Sequence, residues 1–161
     1  MLRALLRLVV LIVLTAIAIG VVFVAGMRAK AAPVQDAVRR MNRAVTNPRQ
    51  MTTAGQAGSY ASVVRHVGRT SGTVYETPVV AYPTDDGFAI ALPYGRSADW
   101  MKNVLAAGST SIVHEGETHD LDRPEIVPTA EISAHIPDRE ERTHRVFHID
   151  EALLLRTVTD T

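Results

Sequence analysis

An unbroken uncharged run over residues 8–27 constrains this chain more than any other feature. Its 20 residues are mostly Leu, Ile, Val and Ala, and a helix of that length, at about 1.5 Å per residue, matches a hydrocarbon core about 30 Å thick. Backbone N–H and C=O groups find no water in hydrocarbon, so a single span has to be helical. Arg3 and Arg7 precede the run, and Arg28 and Lys30 follow it. A cleavable signal peptide is the rival reading, because Ala29-Lys30-Ala31 fits an A-x-A processing pattern, but the apolar core of such peptides is usually only about 7–15 residues. Residues 1–32 therefore read as a retained anchor in the cell membrane. Only Arg3 and Arg7 lie on its short N-terminal side, against Arg28, Lys30, Arg39, Arg40 and Arg43 on the other. That asymmetry puts the rest of the chain on the cytoplasmic side.

Beyond the anchor there is room for one domain, assigned to residues 51–161. The chain has no cysteine, which removes disulfides, thiolate metal sites and a cysteine nucleophile together. Net charge is zero, yet residues 1–96 hold 11 Lys/Arg against 4 Asp/Glu and residues 97–161 hold 6 against 13, so the halves carry +7 and −7. The basic half adjoins the membrane, where anionic headgroups attract each Lys or Arg by about 1 kcal/mol. Membrane lipid is the partner this distribution fits, and nucleic acid is not expected.

Val34, Ala37, Val38, Met41 and Val45 recur at helical spacing, with Arg39, Arg40 and Arg43 on the opposite face. Residues 33–50 are expected as a basic amphipathic helix ending at Asn47-Pro48, lying either on the domain or in the membrane interface. Residues 48–58 read as a linker. The period then changes to that of strands, over residues 59–67, 74–82 and 88–92, with Asp86-Gly87 as a hairpin signal between the last two. A helix capped by Ser97 or Asp99 is expected to run to Ala107 and close on Gly108. Strands over 111–114 and 118–121 flank Glu115-Gly116. Residues 126–136 are mixed, 138–148 read as a charged helix with Asp138, Glu140 and Glu141 at its start, and 152–158 as a last strand. About six mainly antiparallel strands with few helices imply an α+β fold built on a small barrel.

The residues that invite chemistry cluster between His66 and Gly108. Gly68-Arg69-Thr70-Ser71-Gly72 is a glycine-flanked turn offering backbone N–H groups, a guanidinium and hydroxyls, a set suited to phosphate or carboxylate; a plain hairpin turn is the bland alternative. Pro78 interrupts a strand, which calls for an edge or a bulge. Pro93-Tyr94-Gly95-Arg96 leads into a helix N-terminus, and Trp100 and Asn103 share a helix face at i, i+3, a flat surface beside an amide. Core packing is the competing role for Trp100. Of six histidines only His144 and His148 have ligand spacing; no H-E-x-x-H pattern or third ligand accompanies them, so no metal is expected. Nucleophile-elbow, Walker and Rossmann patterns are missing too.

Together, Gly68-Arg69-Thr70-Ser71-Gly72, Glu76-Thr77-Pro78, Pro93-Tyr94-Gly95, Asp99-Trp100-Met101-Lys102-Asn103 and Ala106-Ala107-Gly108 resemble the actinobacterial deazaflavin-dependent nitroreductase and quinone reductase family. The resemblance covers about residues 60–125. It implies a split β-barrel of the FMN-binding-like kind and the 8-hydroxy-5-deazaflavin coenzyme F-420. By the same resemblance Arg69, Thr70, Ser71 and Gly72 meet the coenzyme's anionic tail, with Pro78 near it. Pro93, Tyr94, Gly95 and Arg96 line the ring, Trp100 and Asn103 close the pocket, and Tyr94 is the candidate catalytic residue. The chain departs from the nitro-drug-reducing members in its short loop before Trp100 and in having no Tyr after Tyr94.

Hydride would come from the reduced coenzyme, with the protein positioning the acceptor. An anchor in the membrane makes a lipid-soluble, quinone-like acceptor the expected substrate, with a nitro compound as the other type. Two other readings are a barrel that binds a fatty acyl chain or other lipid without redox chemistry, and one that holds FMN or haem. A homodimer is a further expected assembly.

Overall fold

The computed structural model describes residues 2–158. The apolar run lies in α1 (Leu2–Arg28), a 27-residue helix long and apolar enough to cross a membrane. α2 (Ala32–Met41) has Pro33 in its first turn, where the fixed φ of proline suits a helix start. Contrary to the sequence expectation, α2 itself stops at Met41 and Asn47-Pro48 does not end the helical stretch. The chain continues through a π-helical turn (Asn42–Thr46) into α3 (Asn47–Gln50), with Pro48 in the opening turn of α3. Pro48 has no N–H for a helical ladder, and the wider π turn shifts the register just ahead of it.

The sheet has seven strands: β1 (Ser62–Val67), β2 (Val74–Val79), β3 (Ala81–Thr84), β4 (Gly87–Ala91), β5 (Ser109–His114), β6 (Glu117–Pro128) and β7 (Glu151–Thr157). Their order is β2-β1-β5-β6-β7-β4-β3, and every neighbouring pair is antiparallel. The strand beyond the expected six comes from the run 74–82, which reads as one strand but breaks at Val80 into β2 and β3. These two are successive in the chain yet form opposite edges of the sheet. A single intervening residue forces the edges to converge, so the sheet curls into a half-barrel. Pro78 and Pro83 both lie in these edge strands, where a missing ladder donor is tolerated. The mixed stretch 126–136 divides: its start extends β6 to Pro128, and the rest is a 3-10 turn (Thr129–His135).

The strands beside β3 are covered on both faces. Phe88, Ile90, Leu153 and Leu155 close on Val64, Ile112 and Leu121 and on Met101 and Val104 of α4 (Asp99–Ala107). The alternate residues Ala89 and Ala152 face the other way, under Ile132 and Ile136. At Gly87 the backbone of β7 comes so close that a Cβ would stand 2.0 Å from the Leu155 carbonyl oxygen. α4 is preceded by Ala98 with no side-chain cap: Ser97 and Asp99 are engaged elsewhere, and Gly108 closes the helix in the left-handed conformation.

α5 (Asp138–Phe147) packs the domain against α1. The Phe23 and Phe147 rings meet edge to face at 6.2 Å. Arg28 Nη1 donates to the Val146 carbonyl at 3.2 Å and Nη2 to His148 Nε2 at 2.5 Å. Lys30 lies 3.6 Å from Asp150.

Candidate functional site

The turn at Gly68–Gly72 joins β1 to β2, and α4 runs beside it. Arg69 donates from its backbone N–H (3.2 Å) and from Nη1 (2.9 Å) to Asn103 Oδ1, while Nη2 reaches Asp99 Oδ1 at 3.3 Å. Asn103 is buried, and its Nδ2 stands 3.0 Å from His66 Nδ1. Because Oδ1 is the acceptor for two Arg69 donors, Nδ2 is the donor toward His66, and His66 Nδ1 must accept. The network therefore assigns the His66 proton to Nε2, which donates to Thr77 Oγ1 at 3.1 Å. The result is a directed chain from Arg69 through Asn103 and His66 to Thr77. The His66 ring also stacks on Tyr75 at 5.8 Å. Burial lowers the His66 pKa below the ordinary imidazole value, against the opposing pull of Asp99.

The rest of the turn is open. The backbone N–H groups of Thr70 and Ser71 meet no acceptor among the described residues, and both residues are exposed. Ser71 Oγ accepts from the Thr73 N–H at 3.3 Å and lies 3.2 Å from Tyr75 OH. Gly72 adopts φ +67°, the left-handed conformation such a turn needs. A concavity of free N–H groups beside a guanidinium is a place for an anion. Asp99 offsets part of the Arg69 charge, and Glu76 of the neighbouring strand is paired with Arg65 at 2.8 Å.

A second group surrounds the loop before α4. Tyr94 OH accepts from Asn42 Nδ2 at 2.7 Å, tying the loop to the π-helical turn that follows α2. Burial raises the Tyr94 pKa, so the phenol keeps its proton and retains one O–H for donation. Ser97 donates to the Tyr94 carbonyl at 2.9 Å and accepts from Arg39, which also pairs with Asp36. Arg96 forks onto both carboxylate oxygens of Glu151, its shortest contact being 2.7 Å, and holds that carboxyl below the usual range. Pro93 and Gly95 are half-buried. Trp100 packs partly buried against the main core, and Pro78 sits in the edge strand opposite Val63.

The structure thus brings Arg69 and Asn103 into direct contact and groups Tyr94 and Arg96 around one loop. No hydrogen bond among the described residues joins the two groups; they meet along the chain, where Ser97 belongs to one and Asp99 to the other. Sequence reasoning did not name His66, Thr77, Asp99 or Asn42 as site residues, although Thr77 and Asp99 lie within the motifs it singled out. For His66 a signal existed: it shares strand parity with Ser62 and Val64, the inward-facing positions of β1. Asn42 had none, since Tyr94 lies 52 residues away.

Two open crevices lie elsewhere. One, of about 500 Å³, runs between α1 and α2 and is lined by apolar side chains. The other, of about 620 Å³, lies at the β3–β4 hairpin, where Arg156 is paired with Asp86 and Arg123 with Asp122.

No protein-family model and no curated protein matches this chain. One solved structure aligns with 67% of this chain and 76% of its own length, at 12% identity and a TM-score of 0.37.

Proposed function

We propose that this protein is a membrane-anchored oxidoreductase that passes hydride from a reduced 8-hydroxy-5-deazaflavin coenzyme to a quinone-like or nitro-type acceptor, with its domain on the cytoplasmic side. The observation that carries the reading is the Gly68–Gly72 turn, whose free Thr70 and Ser71 N–H groups flank an arginine held in place from α4 by Asn103. Those residues fit the phosphate and carboxylate groups of such a coenzyme's tail.

The coenzyme supplies the hydride when bound. The chain's own part is to bind and orient. Arg69, Thr70 and Ser71 would hold the tail by charge-assisted and backbone hydrogen bonds, and the Pro93-Tyr94-Gly95 loop would flank the ring. Tyr94 keeps its proton and has one donor direction left after accepting from Asn42, which suits it to orient an oxygen or nitrogen atom rather than to release a proton at neutral pH. Placing this loop against the juxtamembrane helix brings it near the membrane, where a lipid-soluble acceptor would arrive.

The test is a fluorescence titration of oxidised deazaflavin coenzyme with the full chain in detergent, beside FMN. Saturable binding of the deazaflavin alone supports the proposal. Binding of FMN alone, or of neither at micromolar concentrations, overturns it.

A further inference from the structure

The apolar crevice between α1 and α2 is held open at both ends. At its apex the helices touch: a Cβ on Gly26 would stand 2.6 Å from Val34 Cγ2. Further along α2, Asn42 is bonded to Tyr94 at 2.7 Å and Arg39 to Ser97, so α2 is clamped to the half-barrel and cannot fold down onto α1. Between these two attachments Ala18, Ile19, Val22 and Phe23 face Ala37 and Val38 across open space. Ala18, Ile19, Val22 and Phe23 belong to the helix long and apolar enough to cross a membrane, and with that helix in a bilayer the crevice opens toward lipid.

The occupant is indicated by charge. Arg40 follows Ala37 by three residues and Pro33 by seven, which puts it on the flank of the crevice-lining face. Arg40 is exposed and has no ion-pair or hydrogen-bond partner among the described residues, unlike Arg39. Met41, one turn beyond Ala37, extends the apolar stripe and is 55% exposed. An anionic lipid meets both the apolar lining and this cation.

We propose that this crevice binds one anionic phospholipid of the bilayer, with an acyl chain between α1 and α2 and its phosphate against Arg40. This site is independent of the redox reading. The test is native mass spectrometry of the full chain, delipidated in mild detergent and titrated with phosphatidylglycerol or phosphatidylcholine of identical chains. The parent should retain a single phosphatidylglycerol, preferred by roughly fivefold over phosphatidylcholine. Arg40→Gln should keep a lipid adduct but abolish the preference, and Ala37→Trp should lose both adducts. Spin-labelled lipids with the parent chain in phosphatidylcholine vesicles supply a measurement that needs no variant, phosphatidylglycerol showing the larger immobilised fraction. Equal retention of both lipids by the parent, adducts unchanged by Ala37→Trp, or a lipid-free dimer as the main species would each overturn the proposal.

Discussion

The side-chain amide of Asn103 donates to His66 Nδ1 across 3.0 Å while its oxygen accepts two hydrogen bonds from Arg69, so one buried amide sets both the tautomer of a histidine and the placement of an arginine. Replacing Asn103 by the near-isosteric leucine leaves His66 Nδ1 and the Arg69 N–H unpaired. The expected cost is about 2–3 kcal/mol, given roughly 1–3 kcal/mol for each buried polar group left without a partner. Urea unfolding of the full chain in detergent, followed by Trp100 fluorescence, measures it; a loss under about 0.5 kcal/mol would mean the network is solvated.

Protonation of His66 would put hydrogen on both ring nitrogens and turn the Asn103 amide, setting its NH₂ against the Arg69 donors. Burial lowers the pKa of His66, and likewise of His114 and His144. A histidine whose folded value lies below its unfolded value of about 6.5 takes a proton more readily in the unfolded chain. Stability is therefore full above pH 6.5 and declines as pH falls from there toward the folded values. Unfolding free energies measured between pH 7.5 and 5 should fall with acidification, and less steeply in His66→Gln. A flat profile would contradict the buried neutral histidines.

Arg69→Ala should weaken coenzyme binding by about 1.5–3 kcal/mol, the scale of a hydrogen bond to a charged group. The Arg69 backbone N–H still reaches Asn103 in this variant, so the fold should survive. Deazaflavin affinity equal to that of the parent would reduce Gly68–Gly72 to a connecting turn.

Tyr94→Phe removes the acceptor of Asn42 and one attachment of α2 and the turn after it. About 1 kcal/mol of local stability should go with it, speeding amide exchange over residues 42–50 roughly fivefold. Exchange rates matching the parent would show that Arg39 holds the helix unaided.

Two glycines separate crowding from conformation. Gly87→Ala drives a methyl into the Leu155 carbonyl, a backbone atom that cannot swing away, and should cost about 3 kcal/mol or prevent folding. Gly116→Ala has open space around the added carbon but a φ of +85°, and should cost only about 1–2 kcal/mol. Thermal unfolding of the two variants gives the ranking, and the reverse order would contradict the approach of β7 to Gly87.

Local signals carried much of the architecture. The membrane-length helix follows from 20 consecutive uncharged residues, the hairpin at Asp86-Gly87 from its turn chemistry, and the end of α4 from Gly108. Each depends on groups within a few residues of one another, the range over which composition and spacing act. The α+β class and a curled antiparallel sheet were legible for the same reason. Of the candidate site, the Arg69 turn and the helix face bearing Asn103 could be picked out as residue types.

Other features arose only when distant segments met. Residues 74–82 have one continuous strand pattern, and closure of the half-barrel at Val80 is what divides them between opposite sheet edges. His66 looks like any strand histidine until Asn103, 37 residues later, arrives on α4. Arg69 reads as a free cation until Asp99 and Asn103 engage two of its nitrogens, and Tyr94 as a loop residue until Asn42 reaches it across 52 positions. The sequence by itself determined most of the helices and strands, and the one helix long and apolar enough to cross a membrane, because those choices are made by neighbours along the chain. Only the tertiary structure decided which polar groups pair, because hydrogen-bond partners 30 to 50 residues apart are selected by how the sheet curls and where α2 and α4 pack against it.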